Sequence, residues 1–259
     1  MEVSMLLQTE AWVVALLLFI LMVIANFLGK LTGNYIRTKK PEKEKPTETS
    51  ALVALLFFLL AFTFGMSGDR YDSRRQIVVE EANDIGTAIL RSDLYPDSLR
   101  TLFRKDFKDY VETRIDYYQA GTDVKEILKA DSISQVISLK LWKRASHLAK
   151  DPDYLAATQQ MIPALNTMID VTTSRLSGEK AKVPQSIIIM LFFLSIISAF
   201  FGGYSEGRKG TMDWFVQVGF CLLVSLVVLF TLDLDRTRRG FVNLDVPNQT
   251  IIDLRKNFK

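Results

Sequence analysis

The sequence predicts an all-α integral membrane protein with four transmembrane helices per subunit and a helical soluble domain. Four apolar runs are close to the roughly 20 residues that a helix needs to cross a bilayer. The polar segment between the second and third runs repeats its apolar residues at helical spacing. No segment shows the apolar–polar alternation of a half-buried strand.

The four apolar runs divide the chain into two transmembrane hairpins. We expect the first hairpin at residues 1–68 and the second at 183–232. The soluble domain is expected at 69–182, with the second span continuing into it, and a C-terminal tail at 233–259. The predicted spans are 11–28, 51–68, 183–203 and 214–232.

The connections inside both hairpins are expected to be solvated. Residues 29–50 contain Pro41, Pro46 and an alternation of Lys and Glu, so we expect a loop there. Residues 205–210 read Ser-Glu-Gly-Arg-Lys-Gly and predict a tight polar turn. Pro184 is expected to open the third span, because proline fits the first turn of a helix.

The soluble segment carries the 3-4-3 rhythm of a helix with one buried face. Further helices are expected from Val124, from Ile133 and from Asp151 or Asp153. The residues of the rhythmic face are Leu99, Leu102, Phe103, Phe107, Tyr110, Val111 and Ile115.

The second span has aromatic side chains on one face. Ala54, Phe58 and Phe62 are four residues apart, and this spacing aligns their side chains. Around the axis of an oligomer they would form a hydrophobic constriction, which can gate by dewetting. The alternative, more common for such residues, is that the rings face lipid or pack against helices. Ala61 and Gly65 form a small-xxx-small pair that permits close helix packing.

The same helix becomes charged directly after its apolar half, with Asp69, Arg70, Arg74 and Arg75. Arginines at a pore mouth raise the local concentration of anions. The alternative, equally supported, is a helix end whose charges snorkel to the interface and pair with one another. We expect the polar face to continue along the helix, and Asn83 either to line a vestibule or to fix a contact between helices. The residues of this continuation are Glu80, Glu81, Asn83 and Asp84.

Composition argues against several classes of function. The net charge of +3 gives no reason to expect a nucleic-acid partner. A single cysteine, Cys221, and a single histidine, His147, exclude an internal disulfide and multi-Cys or multi-His metal sites. Asp233 and Asp235 are interpreted as paired charges at a helix end rather than as metal ligands. With no recognisable catalytic motif, we expect neither an enzyme nor a cofactor.

Residues 51–84 resemble the bestrophin anion channels, most closely their bacterial relatives and the bacterial bestrophin-like membrane family. Bestrophins follow the pore helix with an acidic or polar residue, Arg and two Trp, then a later Arg and an Asn-Asp pair. The matching residues are Asp69-Arg70-Tyr71, Arg75 and Asn83-Asp84. Counted back from Arg70, the family's three neck positions fall on the aligned residues of the second span. Asp72 departs from the motif in place of the second Trp, and Leu55 replaces a proline.

The resemblance implies a homo-oligomeric, pentameric channel for a permeant anion in a lipid bilayer. It assigns the neck to Ala54, Phe58 and Phe62, and the pore mouth and vestibule to the charged residues and Asn83. It also implies a bacterial plasma (inner) membrane with the soluble domain and both termini in the cytoplasm. An even number of spans places these parts on one side, and the positive-inside rule alone is nearly tied.

The residues also allow a function of another class. A non-conducting membrane scaffold or sensor, whose helical domain binds a partner, needs none of the pore features. The charge-balanced soluble domain and the missing catalytic motifs support this alternative. Rotational symmetry around the second span would favour the channel, and a monomer or a dimer packed through Ala61 and Gly65 would favour the scaffold.

Overall fold

The computed structural model describes residues 9–39, 49–210, 213–236 and 238–258. These residues are 89% helical and contain no strand, which confirms the all-helical class. Within them, four helices, α1, α2, α6 and α7, are long and apolar enough to cross a membrane. The helices are α1 (Ala11–Lys39), α2 (Thr49–Arg91), α3 (Asp97–Gln119), α4 (Val124–Leu148), α5 (Leu155–Lys180), α6 (Gln185–Lys209), α7 (Trp214–Leu234) and α8 (Asp245–Asp253).

The chain forms two compact units. The first, which we call the apolar unit, comprises Met1–Arg70 and Lys182–Arg236. The second, which we call the polar unit, comprises Tyr71–Ala181 and Thr237–Lys259. One boundary between them falls inside α2, so residues of this helix belong to both units.

The apolar unit is built around α1, which packs against α6 and α7. Its buried core includes Leu18 and Met22 of α1, Leu56 of α2, Leu191 of α6 and Val224 of α7. Most of the large apolar side chains on the other faces of these helices are exposed. This distribution is typical of helices whose outer surface lies in lipid.

The backbones of α1 and α6 approach very closely because each helix turns glycines toward the backbone of the other. A Cβ atom added to Gly29 would lie 2.0 Å from the carbonyl oxygen of Phe200, and one added to Gly203 would lie 1.9 Å from that of Asn26. A second pair, Gly33 and Gly207, repeats the contact one turn further along. Small residues at this spacing are what membrane helices use to pack tightly.

The expected loop at residues 29–50 and turn at residues 205–210 are wrong in part. Helix α1 continues to Lys39, and residues 40–48 lie outside the described chain. Helix α6 continues to Lys209 and ends on Gly210, whose φ of 81° is the left-handed conformation that favours glycine. Gly29, Gly33 and Gly207, which fall in the segments expected to be loop and turn, lie where the two helices touch. Pro184 precedes α6 directly, as predicted.

The polar unit has its own hydrophobic core, contributed by α2, α3, α4, α5 and α8. The predicted buried face of α3 is largely confirmed, since Phe103, Phe107 and Ile115 are fully or almost fully buried. Leu102 was expected on this face but is exposed. The helices predicted from Val124 and Ile133 are one helix, α4, and Asp151 caps a short 3-10 turn before α5. Sequence analysis placed no element in residues 233–259, where α8 packs its Ile251 into the core.

Candidate functional site

In the apolar unit, one face of α2 is not covered by any other part of the chain that the structure describes. Phe58 is 67% exposed and Phe62 is 55% exposed, although both side chains are large and apolar. Ala54 is exposed on the same face. The opposite face carries Leu56 and Leu60, which are buried in the core of the unit. The three aligned residues therefore share an outward-facing stripe of the protomer.

The small-residue pair of α2 lies beside this stripe. Ala61 and Gly65 are both exposed. A Cβ atom added to Gly65 would meet no heavy atom within 4 Å. Within one protomer, then, no helix of the described chain packs against Gly65, and the predicted close approach would need a second molecule.

In the polar unit, the exposed face of α2 carries a row of mainly polar side chains with open space of about 590 Å³ between them, which we call the polar groove. Arg75 and Asn83 lie in this groove. Its charged side chains are Arg75, Asp72 and Glu80, so the groove has no excess of positive charge. Glutamine and asparagine side chains between these charges offer both hydrogen-bond donors and acceptors. The groove is lined by Asp72, Arg75, Gln76, Val79, Glu80 and Asn83.

Arg74 does not share this face. It is buried in the polar unit, and its guanidinium donates hydrogen bonds to the carbonyl oxygens of Gly178 (3.2 Å) and Ala181 (3.1 Å). These carbonyls lie at the C-terminal end of α5, where a cation is favourable. Arg74 thus caps a helix.

In the apolar unit, Asp69 is exposed, whereas Arg70 is half-buried beside Asp235. The Arg70 Nη1 and Asp235 Oδ1 atoms are 3.8 Å apart. The Asp235 carboxylate also accepts the backbone N–H of Val183 at 3.0 and 3.1 Å. Asp235, at the end of α7, therefore bonds to the backbone of the segment directly before α6.

Three ionised side chains are buried together in the polar unit. The Glu81 carboxylate accepts hydrogen bonds of 2.5 Å from Arg114 Nε and from Arg175 Nη1. Burial alone would raise the Glu81 pKa, but the charges and hydrogen bonds of Arg114 and Arg175 lower it to about 2. Glu81 was expected on the polar outer face of α2. That expectation is wrong, since the side chain is fully buried.

Tyr117 extends this cluster. Its ring packs against the guanidinium groups of Arg114 (4.5 Å), Arg175 (5.3 Å) and Arg238 (4.5 Å). Cations are attracted to the face of an aromatic ring. The Tyr117 hydroxyl donates to Glu179, which also pairs with Arg238 at 3.1 Å. Burial and the Glu179 charge raise the Tyr117 pKa, so the hydroxyl stays protonated.

Sequence analysis missed this cluster, although a signal was present. Arg114 lies between Val111 and Ile115 on the buried face of α3, and Arg175 continues the buried face of α5 after Met168. A charged residue in phase with an apolar face predicts a buried ion pair, because an isolated charge cannot be buried.

A family model described as a Bestrophin-like domain matches residues 46–245. This match covers most of the chain and includes both faces of α2 described above. The chain belongs to the bestrophin-like family. The expected resemblance is confirmed. Comparison with curated proteins and with solved structures gave no significant match.

Members of the bestrophin family are usually anion channels rather than enzymes. The four apolar helices and the family together make this bestrophin-like protein a multi-pass membrane protein. Its lipid-facing surface, its exposed α2 face and its buried arginine cluster are the features that a function has to explain.

Proposed function

We propose that this bestrophin-like protein is a homo-oligomeric, anion-selective channel whose α2 helices surround the pore. The observation that carries the proposal is the exposure of Phe58 and Phe62 on one face of α2. In an oligomer with an axis beside this face, the rings from each copy meet around a central passage. The family resemblance suggests five copies.

The neck of this pore is a hydrophobic constriction formed by Phe58 and Phe62. Ala54 shares their face but is too small to narrow a passage, so the two phenylalanines set its width. Such a constriction excludes water and ions when it is narrow and conducts when it widens or fills with water. Ala61 and Gly65, exposed beside the stripe, are where a neighbouring copy packs closely.

Selectivity for anions arises at the neck in this proposal. The polar groove balances Arg75 against Asp72 and Glu80, so its charge does not favour anions. Aromatic rings carry a positive edge and a negative face. Phenylalanines that turn their edges toward the axis therefore attract an anion that has lost part of its hydration shell.

We assign the vestibule of the channel to the polar groove, and α2 continues from the membrane into the soluble region. Arg75 and Asn83 face the permeating ion there, and Asp69 lies at the pore mouth. Arg70 instead lies beside Asp235, and Arg74 caps α5. By the family resemblance, the soluble region and both termini lie in the cytoplasm of a bacterium, with the apolar helices in its inner membrane.

The test is conductance after reconstitution into planar lipid bilayers under a chloride gradient. We compare wild type with the double variant Phe58→Ala/Phe62→Ala and with the control Phe64→Ala, which removes an exposed ring outside the stripe. The double variant should conduct more than wild type, because it loses the constriction, and should be less selective. Phe64→Ala should behave as wild type. Absence of current in wild type and double variant across voltages would refute the channel.

A scaffold or sensor remains the second candidate, favoured by a separate observation. Helix α4 of the polar unit exposes large apolar side chains, of which Val136 (66%), Val124 (65%) and Leu128 (60%) are the most accessible. Exposed apolar residues of this kind mark sites of protein contact when they cluster. A scaffold or sensor predicts no current in the bilayer experiment, either for wild type or for the Phe58→Ala/Phe62→Ala variant.

A further inference from the structure

The polar unit contains a cavity of about 470 Å³, which we call the Arg175 cavity. It lies between the end of α3, the end of α5 and the segment that leads into α8. Its volume falls within the range of about 300–1,000 Å³ that is usual for small-molecule sites. All of its lining residues belong to the polar unit, so it is separate from the neck residues. Its ionisable side chains are Tyr118, Arg175, Glu179, Arg238, Arg239 and Asp245.

Arg175 places a largely buried positive charge in the wall of this cavity. The side chain is only 5% exposed, with Nη1 bonded to Glu81 and Nη2 bonded to Asn248 Oδ1 at 2.8 Å. Its Nε atom is buried and makes no hydrogen bond, although Glu179 Oε1 lies 3.7 Å away. This N–H has almost no accessible surface and lies beside the Glu179 carboxylate, so Arg175 acts on a ligand through its positive charge.

Neighbouring contacts fix the other walls of the cavity. Arg238 donates to the carbonyl oxygens of Tyr117 (2.9 Å) and Gly121 (3.2 Å) and pairs with Glu179. Asp245 accepts hydrogen bonds from the Tyr118 hydroxyl and from Asn243 Nδ2. The walls are therefore held in position before any ligand arrives, which lowers the entropy cost of binding.

The charges of the lining identify the class of ligand. Three arginines face two carboxylates, so the cavity has a net positive charge. Glu179 is already engaged by Arg238 and by the Tyr117 hydroxyl. Guanidinium groups are well suited to carboxylate and phosphate oxygens, because their planar donors match these acceptors. Asp245 and Asn243 offer acceptors for hydroxyl or amino groups elsewhere on the same molecule.

We propose that the Arg175 cavity binds a small polar metabolite through a carboxylate or phosphate group. The anionic group lies between Arg175 and Arg239, and the remainder of the molecule points toward Asp245. Binding at this site does not depend on conduction, so its test is independent of the channel proposal.

Binding is measured by calorimetric titration of the purified full chain in detergent at constant ionic strength, with inorganic phosphate and malonate as probes. Arg239→Gln should weaken binding and Asp245→Asn should strengthen it, each by roughly three- to tenfold, because they change the local charge in opposite directions. General destabilisation would not produce opposite signs. Both side chains are exposed, so both variants should fold.

A surface ion pair provides matched controls. Arg100 and Asp97 form an exposed pair of 2.7 Å on α3, outside the cavity. Arg100→Gln and Asp97→Asn make the same changes in net charge and should leave binding unchanged. If phosphate binds saturably and malonate does not, the ligand carries a phosphoryl group. If malonate binds and phosphate does not, the ligand carries a carboxylate. Binding of neither probe, or equal effects of the control variants, would overturn the proposal.

Discussion

The substitution Glu81→Gln removes the negative charge shared by Arg114 and Arg175. The glutamine keeps the shape of the side chain, but two buried guanidinium groups lose their counter-ion. Breaking a buried ion pair by removing one partner costs about 3–5 kcal/mol. The lowering of the Glu81 pKa from 4.5 to about 2 corresponds to about 3 kcal/mol, so the two magnitudes agree.

The free energy of unfolding of the polar unit can be followed through Trp142, one of three tryptophans in the chain. Trp142 lies on α4, and its ring N–H donates to Asn166 Oδ1 at 2.9 Å. With Trp12 and Trp214 replaced by Phe, denaturant titration in detergent reports on this unit alone.

The matched control is Glu80→Gln, which makes the same chemical change at the adjacent, exposed position. We expect Glu80→Gln to change the free energy of unfolding by less than about 0.5 kcal/mol, as surface substitutions usually do. If Glu81→Gln gave the same small change, the reasoning that the buried carboxylate holds the arginine cluster together would be refuted.

Three further predictions follow from the contacts described. The stabilisation from Glu81 should be complete above pH 4.5 and should be lost as pH falls toward 2, because the folded-state pKa is depressed; denaturant titrations at pH 3 and pH 6 should therefore differ more for wild type than for Glu81→Gln. Gly203→Ala should destabilise the apolar unit by about 1–3 kcal/mol, since its Cβ would lie 1.9 Å from a backbone oxygen. The control is Gly219→Ala, whose Cβ would meet no atom within 4 Å. The stability of both variants is followed by heating the protein with a fluorogenic dye that reacts with the buried Cys221 thiol when the unit unfolds. Asp235→Ala should cost about 1–3 kcal/mol by leaving the Val183 N–H without its acceptor, with the exposed Asp72→Ala as control in the same dye assay.

The fold class was predictable because apolar runs and helical spacing are local properties of the chain. The stripe of Phe58 and Phe62 was predictable for the same reason, since a four-residue spacing fixes a shared face in any helix. The function of this stripe was not predictable, because a lipid-facing stripe and a pore-facing stripe are equally exposed in one protomer.

The errors arose where distant segments decide the structure. Residues 29–39 were assigned to a loop, yet they are helical, and the backbone of α6 lies against Gly29 and Gly33. Glu81 suggested an outer polar face, yet Arg114 and Arg175 from two other helices make its burial possible. No local property of residues 76–86 contains this information. The phase of Arg114 and Arg175 within their own helices was the readable sign.

The close packing of α1 and α6 has a consequence for how the protein is made. Asn26 donates its side-chain N–H to the carbonyl oxygen of Ala199, 173 positions later in the chain. At about 5–20 residues per second, a ribosome needs roughly 10 to 35 s to synthesise the intervening segment. During that interval α1 has left the ribosome while its principal partner does not yet exist. The glycine face and the Asn26 amide must then be accommodated by lipid or by the insertion machinery. Substitutions that disturb only the contact between α1 and α6 should therefore leave the insertion of α1 unchanged and should take effect only after α6 has been made.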